Sequence, residues 1–372
     1  MASKLRLFTK RFFIYANWLT ALLFLLSCLI PLLHPQQWWW VSVLGLAFPF
    51  LLLLLVIFLF GWLLILKFRL ALISLVALLL AYKSIGVFVA FHPPTIFKEA
   101  KTGNTLRIVS WNVARFIEQA RNSNKGSATR LKMLELIRKQ NADVLCLQEF
   151  FTSENPGYYD NIKTIQEKLN YPYYYFSFDK DGDKNYYSTI IFSRYKIVDS
   201  GIIRYSRPAL PDVLLQADIL FNKDTIRVFA THLQSQRFNK YDYDRIEKIR
   251  KTEDSMLLHS IPILSKLKWG IAQRSLQADL VAEVMKNSPH PTIFAADMND
   301  VPNSYTYFTI KGNMQDAFLE KGAGLGHTFT GLLPTLRIDY ILADKNFKIE
   351  QFKTEKKEYS DHYMLVADLK PL

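Results

Sequence analysis

The chain has 372 residues, half of them hydrophobic, two cysteines and a formal net charge of +13. That apolar share is high for a water-soluble chain, and two cysteines exclude a disulfide framework. The first hundred residues hold nearly all the long apolar runs, with eight Lys/Arg and one acid, so the charge splits into about +7 there and +6 on the remainder.

Three apolar stretches come first, each near the roughly 20 residues that cross a bilayer. They cover about 12–33, 41–65 and 70–91. The first follows basic residues, as a signal peptide does, but its apolar core is long and two further stretches follow at once. Lys4, Arg6, Lys10 and Arg11 precede the first stretch, "HPQQWWW" separates it from the second without Lys or Arg, and Lys67 and Arg69 follow the second. The positive-inside rule places the N-terminus and the second turn in the cytoplasm, and three spans then deliver the rest of the chain to the far side. Lys83 and Lys98 pull the other way. The tryptophans suit a membrane–water interface, and nothing in the spans has the several ionisable groups of an ion pathway. The sequence thus reads as a membrane domain over 1–92, a linker over 93–104 ("PPTIFKEAKTGN") and a third part over 105–372.

In this third part strands and helices follow one another. The expected strands are 106–113, 143–150, 188–193, 213–221, 225–233, 291–297, 336–343 and 363–369, rich in Val, Ile, Phe and Tyr and bounded by turn residues. The expected helices are 127–141, 158–170 and 270–287. Strands outnumber helices and several read as hairpins, which favours an α/β sandwich of mixed sheets. A charged insert over 237–269 reads as a partly helical, solvated pair, with a basic surface facing anionic lipid as the sharper alternative.

The chemistry-bearing residues stand at or inside the apolar strand runs. "IVSWNV" brings Asn112, "VLCLQE" Glu149, "VFATHL" His232, "TIFAADMN" Asp297 and Asn299, "RIDYIL" Asp339, and "YSDHYML" Asp361 and His362. An unpaired carboxylate there is costly, so these ends are expected to meet and satisfy one another. Oxygen donors without a Cys set suit a hard octahedral cation, Mg²⁺ or Mn²⁺. Two histidines and further acids suit acid–base work and charge stabilisation at phosphorus. Ser360 beside Asp361 and His362 suggests a serine hydrolase, but strand neighbours point to opposite faces and no GxSxG elbow is present.

These motifs, in this order, resemble the endonuclease/exonuclease/phosphatase superfamily over about residues 104–372. The carriers are "SWNV", "LCLQE", "IIFSR", "THLQS", "AADMND", "RIDYIL" and "YSDHYML". The resemblance implies a deoxyribonuclease I-like, four-layered α/β sandwich of two mixed sheets, here behind three transmembrane helices. It implies Glu149 as the principal Mg²⁺ ligand with Asn112 close by, and Asp361 holding metal-bound water or a second metal position. Asp297 and Asn299 would position the attacking water and contact phosphate. His362 would be the catalytic imidazole, oriented by Asp339, and His232 would bind the scissile phosphate; which histidine is base or acid stays open. Ala296 and Met298 replace a glycine and an aromatic of the usual "GDFN", and Ser188 stands where Gly is common.

The expected function is a membrane-anchored, divalent-metal-dependent phosphoester hydrolase of the bacterial inner (cytoplasmic) membrane, with its catalytic part on the non-cytoplasmic side. Nucleic acid and a lipid headgroup are both open as the phosphoester substrate. The lipid bilayer is the second expected partner, and no protein partner follows. The rival class is a tethered domain that binds without cleaving.

Overall fold

The structure, a computed structural model, describes every residue except 1, 94–95, 102, 124–125, 207–211, 252–255, 332 and 334. It leaves aside the side chains of 2–7, 119–123, 126–127, 250 and 256–258. The chain forms two compact units. One combines the residues up to Phe88 with Gln236–Ser275 and Val301–Thr309; the other takes Val89–Ser235, Leu276–Asp300 and Ile310–Leu372. Of the expected linker 93–104, residues 94–95 and 102 lie outside the described residues.

In the first unit the helix Ala2–Ser27 is followed by Pro35–Ser42, Leu44–Leu64, Phe68–Leu80 and Tyr82–Phe88. Phe8–Leu32 and Pro35–Leu64 are long and apolar enough to cross a membrane. The third expected stretch is instead two helices, Phe68–Leu80 and Tyr82–Phe88, bent by 66°. The break falls where the apolar run first turns polar, at Tyr82, Lys83 and Ser84. The bent pair still returns along the bundle. Asn17 Oδ1 accepts from Ser74 Oγ at 2.8 Å midway, and the Phe24, Phe48 and Phe88 rings pack in series at 5.1 and 5.4 Å. Phe88 therefore ends level with the loop that joins the first two long helices.

The second unit holds two mixed six-stranded sheets packed face to face. In the first, the order is Phe347–Glu355, Met364–Pro371, Leu106–Asn112, Val144–Ser153, Asn185–Ser193, Tyr173–Phe176. In the second it is Gln315–Asp316, Asp339–Ala343, Thr292–Asp297, Asp224–His232, Val213–Phe221, Ile197–Arg204. The pairs Leu106–Asn112 with Val144–Ser153 and Asp224–His232 with Thr292–Asp297 are parallel; the other pairs are antiparallel. Alternation sorts each strand between two cores. Ile108, Val144 and Cys146 face Val213, Leu215, Val228 and Ile293 of the other sheet. Val109, Trp111 and Leu145 turn outward onto Met133, Ile137, Ile162 and Ile165 of the covering helices Gly126–Gln140 and Asn161–Leu169.

The sequence pattern finds the eight central strands and misses the four edges. Tyr173–Phe176 is short, Gln315–Asp316 is two residues, and Ile197–Arg204 and Phe347–Glu355 are only partly buried and carry charges. An edge strand covered on one face, with charges that discourage further pairing, lacks the apolar run that marks a central strand. The insert also differs from a solvated pair. Lys240–Arg250 is a capped polar helix, but the next helix, Met256–Lys286, absorbs both the rest of the insert and the expected helix 270–287.

Candidate active site

Register brings the functional side chains into rows. His232, Asp297 and Asp339 lie side by side on three neighbouring strands of one sheet. In the other sheet Asn112 is level with Gln148, and Glu149 follows it. The pairing with Asn185–Ser193 slips between Leu147 and Phe150, and Glu149 takes a φ of +48°. A bulge of this kind re-aims one side chain; here it lets Glu149 leave the all-buried strand and reach the site, 29% exposed. A positive φ on a glutamate is strained and persists only because the flanking ladder holds it.

The two sheets are joined across the site. Gln148, fully buried, donates to Ser110 Oγ (3.2 Å) within its own sheet and to the Ala295 carbonyl (3.4 Å) in the other. Asn112 Nδ2 donates to Asp297 Oδ2 at 3.0 Å, while its Oδ1 accepts from Ala114 N at 3.0 Å. Asp297 is fully buried. Its Oδ2 also lies 3.6 Å from His232 Nε2 and 3.6 Å from His362 Nε2, and its Oδ1 accepts from Asn299 N at 2.9 Å. One carboxylate oxygen thus sits among an amide and two imidazoles. Asn299 has a φ of +52° and anchors its own side chain on the Leu233 carbonyl.

Each histidine is backed by a second carboxylate. His362 Nδ1 lies 3.1 and 3.0 Å from Asp339 Oδ1 and Oδ2. His232 Nδ1 lies 3.2 Å from Asp212 Oδ1, and its Nε2 is 3.8 Å from Glu149 Oε1. Burial alone would drive both rings towards neutrality. Against that, Asp212, Asp297 and Glu149 raise His232 to about 10, and Asp339, Asp297 and Asp361 raise His362 to about 10. The neighbouring carboxylates outweigh burial, which favours the protonated form of both rings. Burial pushes the Asp339 carboxyl up, and the neighbouring His362 cation opposes that shift.

The His362 backbone is clamped as well. Ser360 Oγ donates to the Asn112 carbonyl (2.8 Å) and accepts from His362 N (3.2 Å), Trp111 Nε1 donates to the His362 carbonyl (2.9 Å), and the Phe329 ring lies 4.9 Å from the imidazole. Ser360 is a strut, so the apparent Ser–Asp–His run is no triad.

The structure thus brings Asn112, Glu149, His232, Asp297, Asn299, Asp339 and His362 together. Asp361 stands at the rim: it is exposed, its carboxylate lies 3.2 Å from Ser360 Oγ and its carbonyl accepts from Thr330 N (2.8 Å). Among the described residues, the group of three His or acid side chains whose ligand atoms lie within 4.8 Å is Asp297, Asp339 and His362. In that group the His362 nitrogen facing Asp339 is already committed to it. The oxygen donor with an open side is Glu149, beside the buried oxygens of Asp297 and Asn112; such a set, without cysteine, fits Mg²⁺ or Mn²⁺ better than zinc.

Sequence reading missed Asp212, whose only local signal is that it immediately precedes an apolar strand. Arg115 lies nearby, on Tyr187. The Arg115 guanidinium pairs with Asp181 and lies 3.9 Å over the Tyr187 ring. Tyr187 is buried, and burial with Glu149 and Asp212 pushes its hydroxyl far above its ordinary value.

Comparison with known proteins follows the same geometry. Solved structures share the fold: an endonuclease/exonuclease/phosphatase from Beutenbergia cavernae (18% identity, TM-score 0.52, covering 72% of this chain and 72% of that one); the human Nocturnin catalytic domain (18%, TM-score 0.50, 72% and 94%); and an endonuclease/exonuclease/phosphatase family protein from Bacteroides thetaiotaomicron (19%, TM-score 0.50, 72% and 98%). No curated protein matches the chain. A model described as a domain of unknown function (DUF8431) matches residues 10–88. The model of the endonuclease/exonuclease/phosphatase family matches residues 109–362, which span every residue of the site from Asn112 to His362, and the chain belongs to that family.

Proposed function

We propose that this protein is a membrane-anchored, divalent-cation-dependent phosphoester hydrolase. The observation that carries the reading is the Asp297 carboxylate, held by Asn112 and flanked by two buried imidazolium–carboxylate pairs. Two protonated imidazoles converging on one carboxylate suit a phosphoester's negative oxygens, and the carboxylate between them is placed to accept a proton from water.

In this reading His232, held by Asp212, binds the phosphoryl oxygens and stabilises charge as it develops there. Asp297 orients the attacking water with Asn299. His362, held by Asp339, keeps a proton beside Asp297 and the phosphorus. Glu149, Asn112 and Asp297 would hold the cation, and Asp361 acts from the rim. A bound Mg²⁺ or Mn²⁺ supplies Lewis-acid neutralisation of the phosphate oxygens.

The N-terminal helices are read as three crossings. Phe88 ends level with the first interhelical loop, so the bent pair carries the chain across despite its break. With the positive-inside rule, the loop side is non-cytoplasmic and the catalytic part lies there.

The test uses the full chain in detergent or nanodiscs with bis-p-nitrophenyl phosphate, plasmid DNA and a phospholipid diester, with Mg²⁺ and then with EDTA. Hydrolysis that needs the cation and disappears in His362→Ala and Asp297→Ala is expected. Activity that survives chelation or both substitutions overturns the mechanism. No hydrolysis of any phosphoester, with retained binding, favours the non-catalytic rival. The order of rates on DNA and lipid assigns the substrate class.

A further inference from the structure

Contacts within the first unit gather at one end of its apolar helices. Gln36 Nε2 donates to the Ala272 carbonyl at 2.6 Å, the Lys268 ammonium lies 5.1 Å from the Trp39 ring, and Asn303 Nδ2 donates to the Ser27 carbonyl at 3.0 Å. The His34 and Tyr305 rings pack edge to face at 5.0 Å. The loop joining the first two long helices is therefore the seat of the helix that begins at Met256.

On that helix Ile261, Leu264, Lys268 and Ala272 fall on one face. The far part of the face meets the tryptophan loop at Lys268 and Ala272. The near part, about 10 Å further along the axis at 1.5 Å per residue, leaves Ile261 64% and Leu264 41% exposed. Trp38 (41%) and Trp40 (48%) of the loop are exposed as well. From 256 to 278 the helix has no acidic residue, and its charges are Lys266, Lys268 and Arg274. Lys268 leans over Trp39 and stays beside the loop, while Lys266 pairs with Asp242 of the preceding helix.

We propose that the first half of this helix is an interfacial membrane segment, with Ile261 and Leu264 sunk at the boundary between phospholipid headgroups and acyl chains. The proposal rests on the reading of the N-terminal helices as spans. An apolar stripe on a helix without acids, flanked by lysines and continuous with a tryptophan-rich loop, is the composition of a helix lying in a bilayer surface. The bilayer is the occupant because the exposed stripe is the same helix face that meets the loop between two candidate spans. The bilayer begins at that level. Among the described residues of the insert, the acids lie on Lys240–Arg250, where Asp242 is paired with Lys266.

The experiment uses the full chain with Cys28→Ser; Cys146 is fully buried and escapes labelling. An environment-sensitive fluorophore is placed on Ile261→Cys or Leu264→Cys, with Leu53→Cys in the second long helix and Leu220→Cys in the catalytic unit as references. The variants are reconstituted in phosphatidylcholine–phosphatidylglycerol vesicles and quenched with shallow or deep doxyl lipids and with iodide. Positions 261 and 264 are expected to show a blue shift, quenching by the shallow lipid and loss of iodide quenching. Leu53→Cys should answer to the deep lipid and Leu220→Cys to iodide alone. If 261 and 264 behave like 220 while 53 is still quenched, the interfacial segment is overturned and the spans stand. If 53 is not quenched either, the span reading itself falls. Protection from both lipid and iodide at 261 and 264 means a second copy or another protein covers them, and overturns the proposal too.

Discussion

The site is built from two imidazole–carboxylate pairs that meet at Asp297, and the pairs are not equivalent. His362 is gripped by both oxygens of Asp339, which sits in register beside Asp297 in the same sheet. His232 has one bond, to Asp212, and its outer nitrogen looks towards Glu149 as well as Asp297. Similar proton affinities therefore arise from different enclosures: one ring is locked by a buried strand neighbour, the other shares its charge with the residue proposed to bind the cation. A locked imidazole keeps its geometry through a reaction. One that faces a cation site is free to bind whichever anion the cation brings.

The most severe way to break the comparison is to remove what the pairs share. Asp297→Asn should lower phosphodiester hydrolysis by about 10⁴-fold, the upper range for loss of a positioned acid–base group. Circular dichroism should stay unchanged, because the amide is isosteric with the carboxylate. A fall of less than tenfold would remove Asp297 from the reaction.

The next test separates the pairs. Asp339→Asn should cost about 10²-fold in kcat and Asp212→Asn about 10-fold, the range for partners that orient a functional group. The Asp212 effect should appear mainly in KM if His232 binds the phosphate. Equal losses in both variants would dissolve the asymmetry.

Glu149→Gln sharpens the comparison from the cation side. Half-maximal activity should then need about 10–100 times more Mg²⁺, with circular dichroism in EDTA unchanged. An unaltered Mg²⁺ requirement would remove Glu149 from the cation site.

The smallest effect is on stability. His232 binds its proton more tightly folded, at about 10 against an ordinary 6.5, because of Asp212, Asp297 and Glu149. Its stabilisation is therefore complete below about pH 6.5 and lost as pH rises through 10. In the cation-free protein the melting temperature should fall between pH 7 and 10, and His232→Gln should make that slope shallower, with His362 keeping its share. A parallel slope in the variant would assign it to other groups.

Legibility in the sequence followed burial. Central strands such as Leu106–Asn112 are buried on both faces, so an unbroken apolar run marks them, and each polar residue that ends one is conspicuous. Asn112, Glu149, His232, Asp297, Asp339 and His362 stood out for that reason. Edge strands such as Ile197–Arg204 share burial with solvent and dissolve into the loops around them. Asp212 looks like an ordinary loop acid before a strand. Only the pairing of Val213–Phe221 with Asp224–His232 carries it to His232.

By itself the sequence determined the apolar helices, the eight central strands and the residues at their ends, because local periodicity records which side chains leave water. The tertiary structure alone decided which carboxylate backs which imidazole, that a bulge turns Glu149 into the site, that Ser360 is a strut, and that the third apolar stretch bends. It also decided that the charged insert opens a helix seated on the tryptophan loop. Those outcomes depend on register and on contacts between residues far apart in the chain, and no local pattern encodes either.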